Sequence, residues 1–273
     1  MLRSLAVVLL IGACSSQPPP PDEDLGPGGG KEDSPGDGWT GVGYGVEYQR
    51  VNTGNAIVIA YGGYTARMSY SAGWASELVD ARLGATGVGQ IYTVQGPADP
   101  GYSGAEIGNS HLRAHLATVD DGVSPIYVVA HSSGSYVAHE LLGQLHRAGN
   151  TGVLSRITYA CLEGGGSGLD QAIVDSLAQL TFVYAHDPTL SQGYSENASA
   201  EQSLGSDYAP KATTFEVVVS STGCDSGAGW CLHDVVVTHK PHKSWTYDLK
   251  DDYTDFVNHP LTTEYLDPLL HGM

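Results

Sequence analysis

Between Ile126 and Leu145 the chain reads IYVVAHSSGSYVAHELLGQL, and this stretch restricts the possible folds more than any other. Ile126 to Val129 is an unbroken run of β-branched and aromatic residues, which suits a strand buried on both faces. Val137, Leu141, Leu142 and Leu145 then recur at helical spacing and would line one face of a helix. Only Ala130, His131, Ser132, Ser133 and Gly134 lie between the two. A turn that sharp forces its central residue into strained backbone geometry and tolerates only small side chains two positions away on either side. Ala130 and Gly134 fill those positions around Ser132. The Ser132 hydroxyl is therefore expected to stand at the tip of a strand, beside a helix N-terminus whose free N–H groups can stabilise an anion.

The stretch resembles the nucleophile elbow of the α/β-hydrolase superfamily, with Ala130 in place of the first glycine of G-x-S-x-G. The resemblance implies an α/β fold with a mainly parallel central sheet and helices on both faces. It also implies a serine nucleophile working with a histidine and a carboxylate, with no cofactor.

Composition narrows the class. With 273 residues, 41% hydrophobic and 15% charged, the chain can build one domain with a sizeable core. A formal net charge of −18 repels phosphate backbones and anionic lipid headgroups, so nucleic acid is not an expected partner. The 4 cysteines are Cys14, Cys161, Cys224 and Cys231. No spacing of cysteine and histidine matches a zinc site, and no metal is expected. Cys161, inside the apolar run ITYAC, reads as a buried free thiol.

Residues 1–14, MLRSLAVVLLIGAC, form a short apolar leader. A transmembrane helix needs about 20 apolar residues, so this reads as an export signal. Its end, Ile11-Gly12-Ala13-Cys14, resembles a bacterial lipobox, which implies lipidation of Cys14. Ser15 after it is compatible with sorting to an outer membrane. Residues 15–38 are rich in Pro, Gly and Asp, have almost nothing apolar to bury, and read as a disordered tether. The hydrolase-like domain would occupy 39–273. In an exported protein, Cys224 and Cys231 are expected to close a disulfide across the loop STGCDSGAGWC.

Strands are expected at Tyr44–Val51, Ala56–Ala60, Gln90–Val94, Ile126–Val129, Ile157–Cys161, Thr181–Ala185 and Thr214–Ser220. Helices are expected at Ala72–Leu83, within Tyr102–Leu116, after Gly134, at Leu169–Leu180, over SENASAEQSLG and at Thr262–Leu270. His111 and His115 read as solvated, and His186 and His239 as structural or solvated.

A serine hydroxyl needs an imidazole to take its proton, and the imidazole needs a carboxylate to fix its tautomer. The superfamily's chain order is serine, acid, histidine, each at a strand end. By that order Asp187, ending TFVYAHD, takes the acid position. Glu163, after the preceding strand, is the rival, and Asp225 and Asp234 are weaker candidates. His233, following TFEVVVS and beside Cys231, is favoured as the base over His242 and His259. The loop Tyr61-Gly62-Gly63-Tyr64 would supply one oxyanion-hole N–H, from Gly63 or Tyr64, and Ser133 the other.

The expected activity is hydrolysis of a small ester or lipid. Membrane association would come only through the N-terminal anchor. Thioesterase or peptidase chemistry would use the same apparatus, and a non-catalytic surface module could keep the same fold. Turnover by such a device falls as pH drops through the ordinary imidazole value, about 6.5.

Overall fold

A computed structural model of the chain describes residues 38–63, 87–97, 105–219, 232–236 and 264–265. The expected helices at Ala72–Leu83 and Thr262–Leu270 lie outside these residues, apart from Glu264 and Tyr265. Cys14, Cys224 and Cys231 also lie outside them, as do almost all of the expected tether, Tyr64, Asp225, His239, His242 and His259.

The elements run β1 (Thr40–Gly41), β2 (Val46–Arg50), β3 (Ala56–Tyr61), β4 (Val88–Val94), α1 (Ala105–Val119), β5 (Ile126–His131), α2 (Gly134–Arg147), α3 (Thr151–Leu154), β6 (Ile157–Leu162), α4 (Gln171–Ser176), β7 (Gln179–His186), α5 (Ala198–Asp207) and β8 (Ala212–Val218), with a final 3-10 turn at Asp234–Val236. They build an 8-stranded sheet in the order β1-β2-β4-β3-β5-β6-β7-β8. β3 through β8 run parallel, and β1 and β2 add an antiparallel edge. The strand order, the mainly parallel pairing and the strand–turn–helix at β5 make this an α/β-hydrolase fold.

β3 and β5 are buried along their whole length, as their unbroken apolar sequences require. Side-chain alternation along each strand feeds two cores. Ile57, Ile59, Val128, Ala130, Tyr159 and Phe182 face one side, where Val137, Leu141, Leu142 and Leu145 of α2 cover them together with Leu112 of α1. Val58, Ala60, Val129, Ala160, Leu162 and Val183 face the other, against Leu232, Val235 and Val236.

One expected element needs correction. The helix expected over Leu169–Leu180 is only Gln171–Ser176, and Gln179 and Leu180 already belong to β7. Asp170 starts this helix, its side chain accepting the Ile173 N–H at 2.9 Å. The helix ends early because Leu180 pairs with Tyr159 on one side and Ala212 on the other. Those ladder bonds and the full burial of Leu180 outweigh its helical propensity. His115 is not simply solvated: it is part-buried, with Nδ1 2.8 Å from the Tyr92 hydroxyl.

A buried network ties α2 to the loop that follows β6. His139 Nδ1 lies 2.6 Å from the Ser167 carbonyl, and its Nε2 lies 2.9 Å from the Tyr159 hydroxyl. A carbonyl can only accept, so Nδ1 carries the proton and Nε2 accepts from Tyr159. Burial lowers the His139 pKa from 6.5 to about 4.

Two stability effects follow. The imidazole stays neutral in the folded chain while the unfolded chain protonates below 6.5, so His139 should cost stability progressively as pH falls from 6.5 toward about 4. Comparing denaturation of the native chain and His139→Gln at pH 7 and pH 4.5 checks this, and the acid loss should be smaller in the variant. A Cβ at position 134 would stand 2.2 Å from the Gly62 carbonyl oxygen. Gly134→Ala should therefore cost about 1–3 kcal/mol, read as a lower denaturation midpoint.

Candidate active site

β5 lies near the middle of the sheet, and its C-terminal end delivers His131 and then Ser132 to the edge where parallel sheets of this kind build their sites. Ser132 has φ of +54°, the left-handed region that a side chain enters only at a cost of about 1–3 kcal/mol. The turn is held by the Ser132 N–H donating to the Leu162 carbonyl at 2.8 Å and the Ser135 hydroxyl donating to the Ser132 carbonyl at 2.7 Å. Gly134 lets α2 start directly against the Gly62 carbonyl.

His233 brings its imidazole to the serine, with Nε2 2.8 Å from Ser132 Oγ. Its other nitrogen, Nδ1, is 3.3 Å from Glu163 Oε2. A carboxylate accepts, so Nδ1 carries the proton and Nε2 is left to accept from the serine hydroxyl. The ring is placed by its neighbours in sequence: Leu232, Val235 and Val236 are buried in the core on one face of the sheet. His131 adds a further tie, its Nε2 lying 3.3 Å from the His233 carbonyl.

Glu163 follows β6, the strand beside β5, and is fully buried. Like Ser132 it is a non-glycine residue at positive φ, +55°. Three donors meet its carboxylate: the Ser195 hydroxyl on Oε1, and on Oε2 the Asn197 N–H at 3.1 Å and the His233 imidazole. A buried carboxylate of this kind requires such partners, because an unpaired charge in the interior is costly.

The residue expected at the acid position, Asp187, goes elsewhere. Its Oδ1 accepts the Thr189 N–H at 2.9 Å and the Thr189 hydroxyl at 2.5 Å, closing the turn that leaves β7. The hydrogen bond between Asp187 N–H and the Gly193 carbonyl, 2.7 Å, pins the same turn. An Asp-Pro-Thr sequence makes such a turn locally, whichever strand end it occupies. Glu163, the rival, is the carboxylate that reaches His233. His186 is structural: its Nδ1 lies 2.5 Å from Glu216, and its ring stacks on Tyr194 at 4.1 Å.

Of the two expected oxyanion donors, Gly63 lies against the nucleophile, since a Cβ placed on it would be 3.1 Å from the Ser132 Cβ. Ser133 heads α2 with φ −64° and ψ −14°, so its N–H belongs to the unpaired first turn. Among the described residues no group of three or more His, Cys, Asp and Glu could hold a metal ion.

Sequence reasoning did not single out Ser195 and Asn197, which approach Glu163 from 32 and 34 positions away. It also passed over Glu201, fully buried behind them, whose Oε1 accepts the Gly165 N–H at 2.7 Å. Desolvation pushes the Glu201 pKa up to about 8, and the nearby Glu163 adds to the rise. Near neutral pH Glu201 is thus a neutral acid, which spares Glu163 a negative neighbour. Nothing in SENASAEQSLG distinguishes these residues from an ordinary polar helix start.

No family model matches the chain, and no curated protein does. Among solved structures the chain is similar to a Pyrobaculum calidifontis esterase, at 13% identity over 67% of this chain and 72% of that one, TM-score 0.47. EstE1, a thermostable carboxylesterase from a metagenomic library, matches at 12% identity over 67% of this chain and 75% of that one, TM-score 0.44. The Vlm2 thioesterase domain matches at 12% identity over 63% of this chain and 88% of that one, TM-score 0.39. The fold assignment rests on the strand order and the turn at Ser132, not on these likenesses.

Proposed function

We propose that this chain is a serine hydrolase of carboxylic esters, with Ser132 as nucleophile, His233 as base and then acid, and Glu163 as the carboxylate that orients the imidazole. The observation that carries the reading is His233 itself: one ring nitrogen is 2.8 Å from Ser132 Oγ and the other 3.3 Å from a fully buried carboxylate.

The chemistry follows from those contacts. The Ser132 hydroxyl proton passes to His233 Nε2 as Oγ bonds to the ester carbonyl carbon. Negative charge then collects on the former carbonyl oxygen, where the N–H groups of Ser133 and Gly63 would receive it. The imidazolium formed is stabilised by Glu163 and returns the proton to the alkoxide oxygen as the carbon–oxygen bond breaks. Water repeats the sequence on the acyl-enzyme, regenerating Ser132. In this reading Asp187 holds its turn and takes no part.

The leader and Cys14 extend the proposal: the enzyme would be exported, lipid-anchored, and carried on residues 15–38 as a tether. Its substrate would then be met outside the cytoplasmic membrane.

Ser132→Ala should abolish hydrolysis of short p-nitrophenyl esters and labelling by a fluorophosphonate probe, while the far-UV circular dichroism spectrum stays unchanged. A native chain that is folded, unlabelled and inactive would point instead to a binding module. Glu163→Gln should lower kcat by about 10³- to 10⁴-fold, whereas Asp187→Asn at the same pH should stay within several-fold of native. The reverse ranking would return the acid's role to Asp187.

A further inference from the structure

The loop that leads into α5 is tied to β7 and donates hydrogen bonds to Glu163. Ser195 is fixed twice to Ala185 of β7: its N–H donates to the Ala185 carbonyl at 2.9 Å, and its Oγ accepts the Ala185 N–H at 2.9 Å. With Oγ accepting there, the single hydroxyl proton is directed at Glu163 Oε1. Two positions later, the Asn197 N–H donates to Glu163 Oε2 at 3.1 Å, and its side-chain Nδ2 donates to the Glu163 carbonyl at 2.7 Å.

Asn197 occupies the position before α5 where an asparagine side chain ordinarily accepts a hydrogen bond from the first turn of the helix. Here it makes no such cap. Its amide is spent on the Glu163 carbonyl, at a residue whose φ of +55° needs to be held. The Glu163 N–H is bound as well, donating to the Val183 carbonyl at 2.9 Å. Every polar atom of Glu163 is therefore engaged, and among the described residues the carboxylate's partner outside this loop is His233.

We propose that Ser195 and Asn197 are positioning residues that hold Glu163, side chain and backbone respectively, in the orientation His233 requires. The inference rests on the triad reading above. Ser195 acts on the carboxylate: its donated hydrogen bond fixes the plane of the group and shares its negative charge. Asn197 acts on the backbone, keeping the residue in the left-handed conformation that aims the carboxylate toward the imidazole.

Steady-state kinetics on the full chain test this with Ser195→Ala, Ser195→Thr, Asn197→Ala and Glu163→Gln, each paired with a thermal midpoint. Ser195→Ala and Asn197→Ala should each lower kcat by roughly 10- to 100-fold while KM for a p-nitrophenyl ester changes little, at temperatures where both are fully folded. The acid limb of kcat/KM should move to higher pH in Ser195→Ala, because the carboxylate then concentrates its charge on the imidazole. Ser195→Thr, which keeps the hydroxyl, should recover most of the lost kcat. Added to Glu163→Gln, either alanine change should have almost no further effect, since both act through that carboxylate.

Native kcat in both folded alanine variants overturns the proposal, as does a loss of kcat that is fully additive with Glu163→Gln. Should Ser195→Ala fail to fold, Asn197→Ala and the double variant with Glu163→Gln decide alone. Near-native activity in Glu163→Gln itself is a different result, since it removes the triad reading and not merely its support.

Discussion

The arrangement depends on a single backbone constraint, the left-handed turn at Ser132. A strand that ends in that conformation cannot continue its ladder, so the chain leaves the sheet and α2 begins at once. The turn survives because its surroundings are complete. Leu162 accepts its N–H, Ser135 caps its carbonyl, and Gly134 leaves room for the Gly62 carbonyl. Strain of about 1–3 kcal/mol is easily carried when β5 is buried along its whole length, because core packing over-determines the path on both sides.

Around that turn the protein solves an electrostatic problem. Glu163 is a carboxylate with no exposed surface, and it has a second acidic residue, Glu201, behind it. Two buried negative charges so close would repel, and desolvation resolves the conflict by keeping Glu201 neutral. Hydrogen bonds from Ser195, Asn197 and His233 then satisfy Glu163 alone. The neutral His139 in the neighbouring network follows the same logic, since a buried imidazole with a carbonyl and a hydroxyl as partners has no counter-charge to stabilise a proton.

Much of the frame could be read from local pattern. Short apolar, β-branched runs such as AIVIA and IYVV suit the interior of a parallel sheet, and the structure puts them there. The 3.6-residue spacing of Val137, Leu141 and Leu145 likewise leaves α2 little choice of face. Reading failed where two local preferences competed. Leu177 to Leu180 fit a helix by spacing, yet Gln179 pairs with Thr158 of β6, and Leu180 found strand partners on both sides. Asp187 stands after a strand, where an acid was expected, and its side chain accepts from Thr189.

What the sequence determined by itself is the turn and the serine at its tip, because small residues between a buried strand and an amphipathic helix allow one local geometry. Which carboxylate meets His233, and which loop supports that carboxylate, was decided by tertiary structure. Ser132, Glu163, Ser195 and His233 come from different strand ends and a distant loop. Their meeting depends on the order in which β5, β6 and β7 lie side by side, and on where Leu232, Val235 and Val236 find a core to enter. Neither is encoded within reach of the residues themselves.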